Sequence, residues 1–296
     1  MIPVNIRPSR IIAIFNVLAI SLVVCLHLPS LPHCWVLDFG VPWFFFASGF
    51  WYGCRPRRWS EEVRKRVRSL LVPFFLWNLI WFPILFTMNT IGWKYFGAER
   101  VVDGSVDSIV RCLGLSAWRW PALVPTWFLR ALFVAAALVG GLWALCAWGR
   151  RWGKYGEIVC RVVVACVLSM MAFTFRLWRP DGSMWGGVFT VGVPVCGMAC
   201  FAVGGVVALM VGDQGDEECG GAWIFLRRQM MPIYLLHAIV IMMCGWCAKG
   251  LGCFKYLVTS WGDVIMWFVA VLGAILLGWM MRRFFPCAAQ ILFGGR

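Results

Sequence analysis

Charge is scarce in this chain and acidic charge scarcer still: 14% of its 296 residues are charged, with 13 Asp and Glu against 27 Lys and Arg. A water-soluble domain carries roughly 25% charged residues, so a soluble globule with a polar surface is excluded. With 62% of residues hydrophobic and a mean hydropathy of +0.81, lipid must solvate much of the molecule. Histidine is rarer, confined to His27, His33 and His237. No second CxxC pair and no histidine at zinc spacing accompanies Cys244-Gly-Trp-Cys247, so no metal is expected. No G-x-S-x-G elbow is present, which removes a serine nucleophile of that type. No small-x-small cleavage site follows the apolar stretch after Arg7 and Arg10, where HLPSLPHCW stands instead. That stretch is therefore expected to be a retained span, not a removed signal peptide. Internal repeats, low-complexity tracts and long linkers are also missing, which points to one membrane domain over residues 1–296. The lack of an inverted repeat weighs against a transporter.

What the chain does hold is a series of apolar runs. Hydropathy predicts an all-α, polytopic transmembrane bundle of about eight spans, up to about ten. The expected spans are 11–28, 36–54, 69–92, 126–148, 157–176, 187–211, 229–248 and 262–281. Helices are required because each segment must satisfy its own backbone in lipid. Pro73, Pro83, Pro194 and Pro232 fall within or near these spans, where they bend helices and open space between them. The net charge of +14 suggests a nucleic-acid partner until its distribution is read. The basic residues cluster in short loops between spans, where they set orientation. Their bias places both termini in the cytoplasm. Residues 105–115 (SVDSIVRCLGL) fit a short amphipathic helix on the membrane surface. Most cysteines lie within apolar runs and act as small hydrophobes; a Cys34–Cys253 disulfide is conceivable on the outer side but unsupported.

His27 closes the first apolar run, and a titratable imidazole there reads either as an interfacial helix cap or as a general base for an acceptor hydroxyl. His33, among prolines, reads as a loop residue. His237, in MPIYLLHAIV, fits equally a second polar group of a cavity and a helix-to-helix hydrogen-bond partner. Arg130, in PTWFLRALF, enters from the same side as His27 and either lines a cavity with it or snorkels. Arg161, one turn into its span, reads as a snorkeller. The basic run Arg55–Arg68, densest at Arg64, Lys65, Arg66 and Arg68, serves anchoring or clamps the phosphates of a nucleotide-bearing acyl donor. Ser48 and Gly49, in FFFASGF, read first as small residues for close helix packing.

In order, LVVCLH, FGVPWFFFASGF, RKRVRSLLVPFFLW, TWFLRALFV, FAVGG, MPIYLLHAIV and RRFFPCAAQILFGGR resemble the acyltransferase 3 family over nearly the whole chain. The resemblance implies an integral-membrane O-acyltransferase of the bacterial cytoplasmic membrane. It would move an acyl group, commonly acetyl, from cytoplasmic acyl-coenzyme A to a hydroxyl of a cell-surface glycan or similar acceptor. No tightly bound cofactor is implied; acyl-CoA is a co-substrate, and the other partners are the acceptor and the bilayer. By the same resemblance His27 is the catalytic residue. Arg64, Lys65, Arg66 and Arg68, with Ser48 and Gly49, serve the acyl donor. Two positions depart from the family pattern. Asn16 stands where an arginine is frequent, about three turns before His27 and on the same face. Pro42 stands where many relatives are acidic. Asn16 and Arg130 are the expected groups for a developing oxyanion. The alternatives are a small-molecule or glycan transporter or flippase, and a catalytically inactive relative or subunit.

Overall fold

The computed structural model describes residues 8–28, 39–54, 58–90, 105–112, 126–153, 155–178, 195–211, 221–257 and 259–294. Regular structure among them is helical, without strand. In chain order the helices are α1 (Pro8–Cys25), α2 (Gly40–Cys54), α3 (Trp59–Arg66), α4 (Val72–Thr90), α5 (Val106–Cys112) and α6 (Trp127–Cys146). They continue as α7 (Gly156–Trp178), α8 (Val195–Val211), α9 (Gly221–Gly250), α10 (Phe254–Leu257), α11 (Ser260–Phe284) and α12 (Pro286–Leu292).

Five helical stretches are long and apolar enough to cross a membrane: Trp59–Thr87, Trp127–Trp152, Gly156–Thr174, Arg228–Gly250 and Ser260–Phe284. The remaining expected spans correspond to shorter apolar helices, Ile11–Cys25, Gly40–Cys54 and Val195–Val211. Two of those three expected spans, 36–54 and 187–211, begin on residues outside the described set. Large apolar side chains point outward along the long helices, Met170 at 70% and Leu272 at 61% exposed among them. Lipid is the solvent that makes such a surface stable. Within the expected helix at 105–115, Val106–Cys112 form the short α5.

The interior is built on close backbone approach and aromatic filling. α2 and α8 pack through glycines: a Cβ on Gly49 would lie 1.9 Å from the Phe201 carbonyl oxygen, and one on Gly204 2.1 Å from that of Phe46. Without hydrophobic drive between helices in lipid, such proximity supplies the dispersion contacts that hold them. Phe45, Phe74, Leu129, Trp143, Phe201 and Leu235 complete the core.

Two prolines shape the bundle, each by removing a backbone donor. Pro73 has no N–H for the Ser69 carbonyl, and the helix widens there into a π turn, Val67–Leu71, in which the Val72 N–H reaches the Val67 oxygen. Gly294, at φ +79°, lies over the freed Ser69 carbonyl so closely that a Cβ would meet it at 2.4 Å. This contact and the Trp77 indole, which donates to the Leu292 oxygen at 3.0 Å, bind the C-terminal α12 to α4. Pro232 likewise leaves the Arg228 carbonyl without its helical partner, and the Arg282 guanidinium of α11 donates to that oxygen. The Pro232 ring then fills the space over Gly278, where a Cβ would come within 2.6 Å of it.

Candidate functional site

α1 ends at Cys25 because the chain tightens there. The His27 N–H bonds back to the Val24 oxygen at 3.0 Å and that of Leu28 to Cys25 at 3.1 Å. The buried Leu28 side chain anchors this turn and leaves the His27 side chain exposed. His27 is thus an accessible imidazole just past the end of an apolar helix.

The structure brings it to His237. The two ring centroids are 5.0 Å apart with their planes tilted by 42°. His237 is fully buried, and its Nδ1 lies 3.0 Å from the Ile233 carbonyl one turn earlier. A carbonyl oxygen only accepts, so Nδ1 carries the proton and Nε2 holds a lone pair. That Nε2 is buried and has no hydrogen-bond partner among the described residues. Tyr234, three residues before His237 and therefore on the same helical face, stands 6.1 Å from the His237 ring. Phe128 of α6 lies 5.0 Å from Tyr234, and Phe44 of α2 lies 6.3 Å from it. An aromatic wall from α2, α6 and α9 therefore backs the imidazole pair.

The other expected catalytic residues are not gathered at this pair. Asn16 accepts a hydrogen bond from the Trp43 indole at 2.9 Å, and its place on α1 is about 16 Å along the axis from His27. It ties α1 to α2. Arg130 is half-buried with its guanidinium 6.0 Å from the centre of the Phe74 ring. Phe128, two residues earlier, faces Tyr234, and a two-residue step turns a helix by about 200°. Arg130 therefore leaves its helix on a different face from Phe128 and meets Phe74 of α4. On that side Asn78, fully buried, donates to the Phe74 oxygen at 2.7 Å and to Thr126 Oγ1 at 2.8 Å, joining α4 to α6.

At the opposite end of the bundle the basic run divides. Arg64 and Arg68 are exposed and Lys65 is partly covered. Arg66 is 5% exposed and donates through Nε to Glu62 Oε1 at 2.6 Å. At Gly49, α8 backbone occupies the space its missing side chain leaves. Ser48 beside it is half-buried.

Arg161 reverses its expectation. It is buried, bonded through Nη2 to Glu157 and stacked 4.9 Å from the centre of the Trp143 ring. A partner one turn earlier makes snorkelling unnecessary, and Arg150 holds the second oxygen of the same carboxylate. Tyr52 stacks on Trp143, 5.5 Å away at an interplanar angle of 10°. Sequence reasoning missed this buried charged cluster, although the i, i+4 spacing of Glu62–Arg66 and Glu157–Arg161 signals both pairs. His33 and Cys34 lie outside the described residues.

Among known proteins, no curated sequence and no solved structure matches this chain. The family described as Acyltransferase domain matches residues 12–213, from near the start of α1 to just past the end of α8. The matched part holds His27, the α2–α8 glycine contact and the divided basic run, while His237 lies beyond it. With more than half of its length matched, the chain belongs to the acyltransferase 3 family.

Proposed function

We propose that the protein is a membrane O-acyltransferase that takes an acyl group, acetyl in the first instance, from cytoplasmic acyl-CoA to a hydroxyl of an extracytoplasmic glycan or similar acceptor. In this reading all eight apolar helical segments cross the bacterial cytoplasmic membrane and both termini are inside. The exposed Arg64 and Arg68 with Lys65 meet the phosphates of coenzyme A at the inner face. His27 stands at the outer end of α1, where the acceptor arrives.

The chemistry asked of His27 is ordinary proton transfer. Its unprotonated nitrogen takes the hydroxyl proton as the oxygen attacks the thioester carbonyl, forming the C–O bond. The tetrahedral adduct collapses by breaking the C–S bond, and the imidazolium returns the proton to the departing thiolate as coenzyme A thiol. Asn16, bonded to the Trp43 indole, and Arg130, beside the Phe74 ring, belong to the frame in this scheme.

One observation carries the reading: an accessible imidazole at the end of an apolar helix, backed by buried aromatic and imidazole groups, in a chain of an acyltransferase family. The test is transfer from radiolabelled acetyl-CoA in isolated membranes, with His27→Ala beside the wild type. A general base contributes about 10²- to 10⁴-fold, so the variant should fall by at least that lower factor while accumulating normally. Undiminished transfer by His27→Ala, or transfer that needs no acyl-CoA, overturns the proposal.

A further inference from the structure

His237 has chemistry that the scheme above leaves unused. A residue that only filled the space between α9 and α1 would be apolar, like its neighbours Leu235, Leu236 and Ile239, all buried. An imidazole there carries two polar nitrogens out of water, which costs free energy for each one left unpaired. One nitrogen is satisfied: Nδ1–H donates to the Ile233 carbonyl. That bond also fixes the tautomer, so the lone pair must be on Nε2. Nε2 is buried with no partner among the described residues, and the ring next to it is that of His27.

The spacing suits a hydrogen bond between the rings. Two imidazoles joined by one N–H···N bond of ordinary length have centroids about 5 Å apart, and here the separation is 5.0 Å. The centroid spacing therefore matches that of a pair in which His27 donates to the Nε2 acceptor.

We infer that His237 is the positioning residue for His27: its Nε2 accepts the N–H of one His27 nitrogen and so presents the other nitrogen, with its lone pair, to the incoming hydroxyl. This inference rests on the acyl-transfer reading for its purpose, but not for its geometry. It fits the logic of a base held by a third group, with a neutral imidazole in the place a carboxylate commonly takes. A neutral acceptor orients the base without binding the imidazolium as strongly as an anion would. The proton is then readily surrendered to the leaving thiolate. His237 does not touch substrate in this scheme and exchanges no proton with it.

The test uses three substitutions that separate the two nitrogens. His237→Gln keeps an acceptor near the place of Nε2. His237→Asn keeps a polar group only near the place of Nδ1, able to donate to Ile233. His237→Phe keeps the volume and neither group. Each is purified in lipid nanodiscs, and thermal unfolding identifies folded preparations.

The first readout is carbethoxylation of His27 by diethyl pyrocarbonate, followed residue by residue by mass spectrometry with no acyl donor present. The reagent attacks the lone pair that the pairing presents. The phenylalanine and asparagine variants should label His27 about tenfold more slowly than wild type, and the glutamine variant at close to the wild-type rate. The second readout is acyl transfer. The same two variants should lose about 10- to 100-fold in kcat with KM for acetyl-CoA unchanged, and glutamine should restore most of it.

Wild-type labelling and turnover in folded His237→Phe overturn the inference, as does a glutamine variant as defective as phenylalanine. If the labelling pattern holds while the wild type transfers no acyl group, the positioning pair stands and the acyltransferase reading fails. If wild type transfers and His27→Ala does not, yet His237→Phe is fully active, the reading stands and this inference fails.

Discussion

Glu62 and Arg66 show how a single pair constrains what a basic run can do. Both are nearly buried, and their bond crosses one helical turn. Removing one partner leaves an uncompensated charge out of water, which typically costs about 3–5 kcal/mol. Glu62→Gln should therefore lower the thermal midpoint sharply, and Arg66→Met in the same chain should recover most of the loss, as read by fluorescence melts. A double variant no more stable than Glu62→Gln alone would contradict the pairing. Asn16 makes the opposite prediction. Its loss removes one indole hydrogen bond, worth about 1 kcal/mol, well away from His27. Asn16→Ala should be mildly less stable and keep acyl transfer within about tenfold; a loss as deep as that of His27→Ala would return Asn16 to the site. Both ion pairs were legible as i, i+4 spacings, and their burial was not. Arg161 is covered by Trp143, with Tyr52 stacked on that ring; both come from other helices, and no local pattern reports that.

At the scale of helices, hydropathy was enough to find the apolar helical segments, while the short α3, α10 and α12 carry no such signal. Apolar runs in lipid leave helix as the only self-satisfying backbone, and Thr259 capping the Gly262 N–H at 3.0 Å marks the start of α11 as its residue type suggests. What the spacing could not supply is the use made of each proline. Pro232 announces a break in α9, but the guanidinium that repairs it comes from Arg282, far along the chain. This repair makes a conditional prediction. Arg282→Met should destabilise the wild type by roughly 1.5–3 kcal/mol, the range for a hydrogen bond to a charged group. In a Pro232→Ala chain, where the N–H of residue 232 can reach the Arg228 carbonyl, the same substitution should cost much less. Additive losses in the two backgrounds would show that Arg282 acts elsewhere. The Gly49 contact is stricter. A methyl 1.9 Å from the Phe201 oxygen forces α2 and α8 apart, and overpacking of this kind costs about 1–3 kcal/mol.

For the whole molecule, the membrane class and the family were readable from composition and from motifs in register. The meeting of His27 with His237 was not. Each histidine stood out separately, as a titratable group in an apolar setting. Only the packing of α1 on α9 puts their rings 5.0 Å apart. Orientation is open to a direct check at two free cysteines. Cys253, before α10, and Cys287, in α12, are both exposed. With both termini inside, a membrane-impermeant maleimide applied to intact cells should label Cys253 and spare Cys287. The reverse pattern would invert the arrangement.

The central claim joins these scales: a thioester delivered from the cytoplasm meets the His27 imidazole at the other end of the bundle. Sealed proteoliposomes of uniform orientation, with radiolabelled acetyl-CoA only on the cytoplasmic face and a hydroxyl acceptor only on the opposite one, test it most directly. The account predicts label in the acceptor with wild-type protein and none above background with His27→Ala. Equal labelling by the two proteins, or labelling only when acetyl-CoA and acceptor share one side, would contradict it.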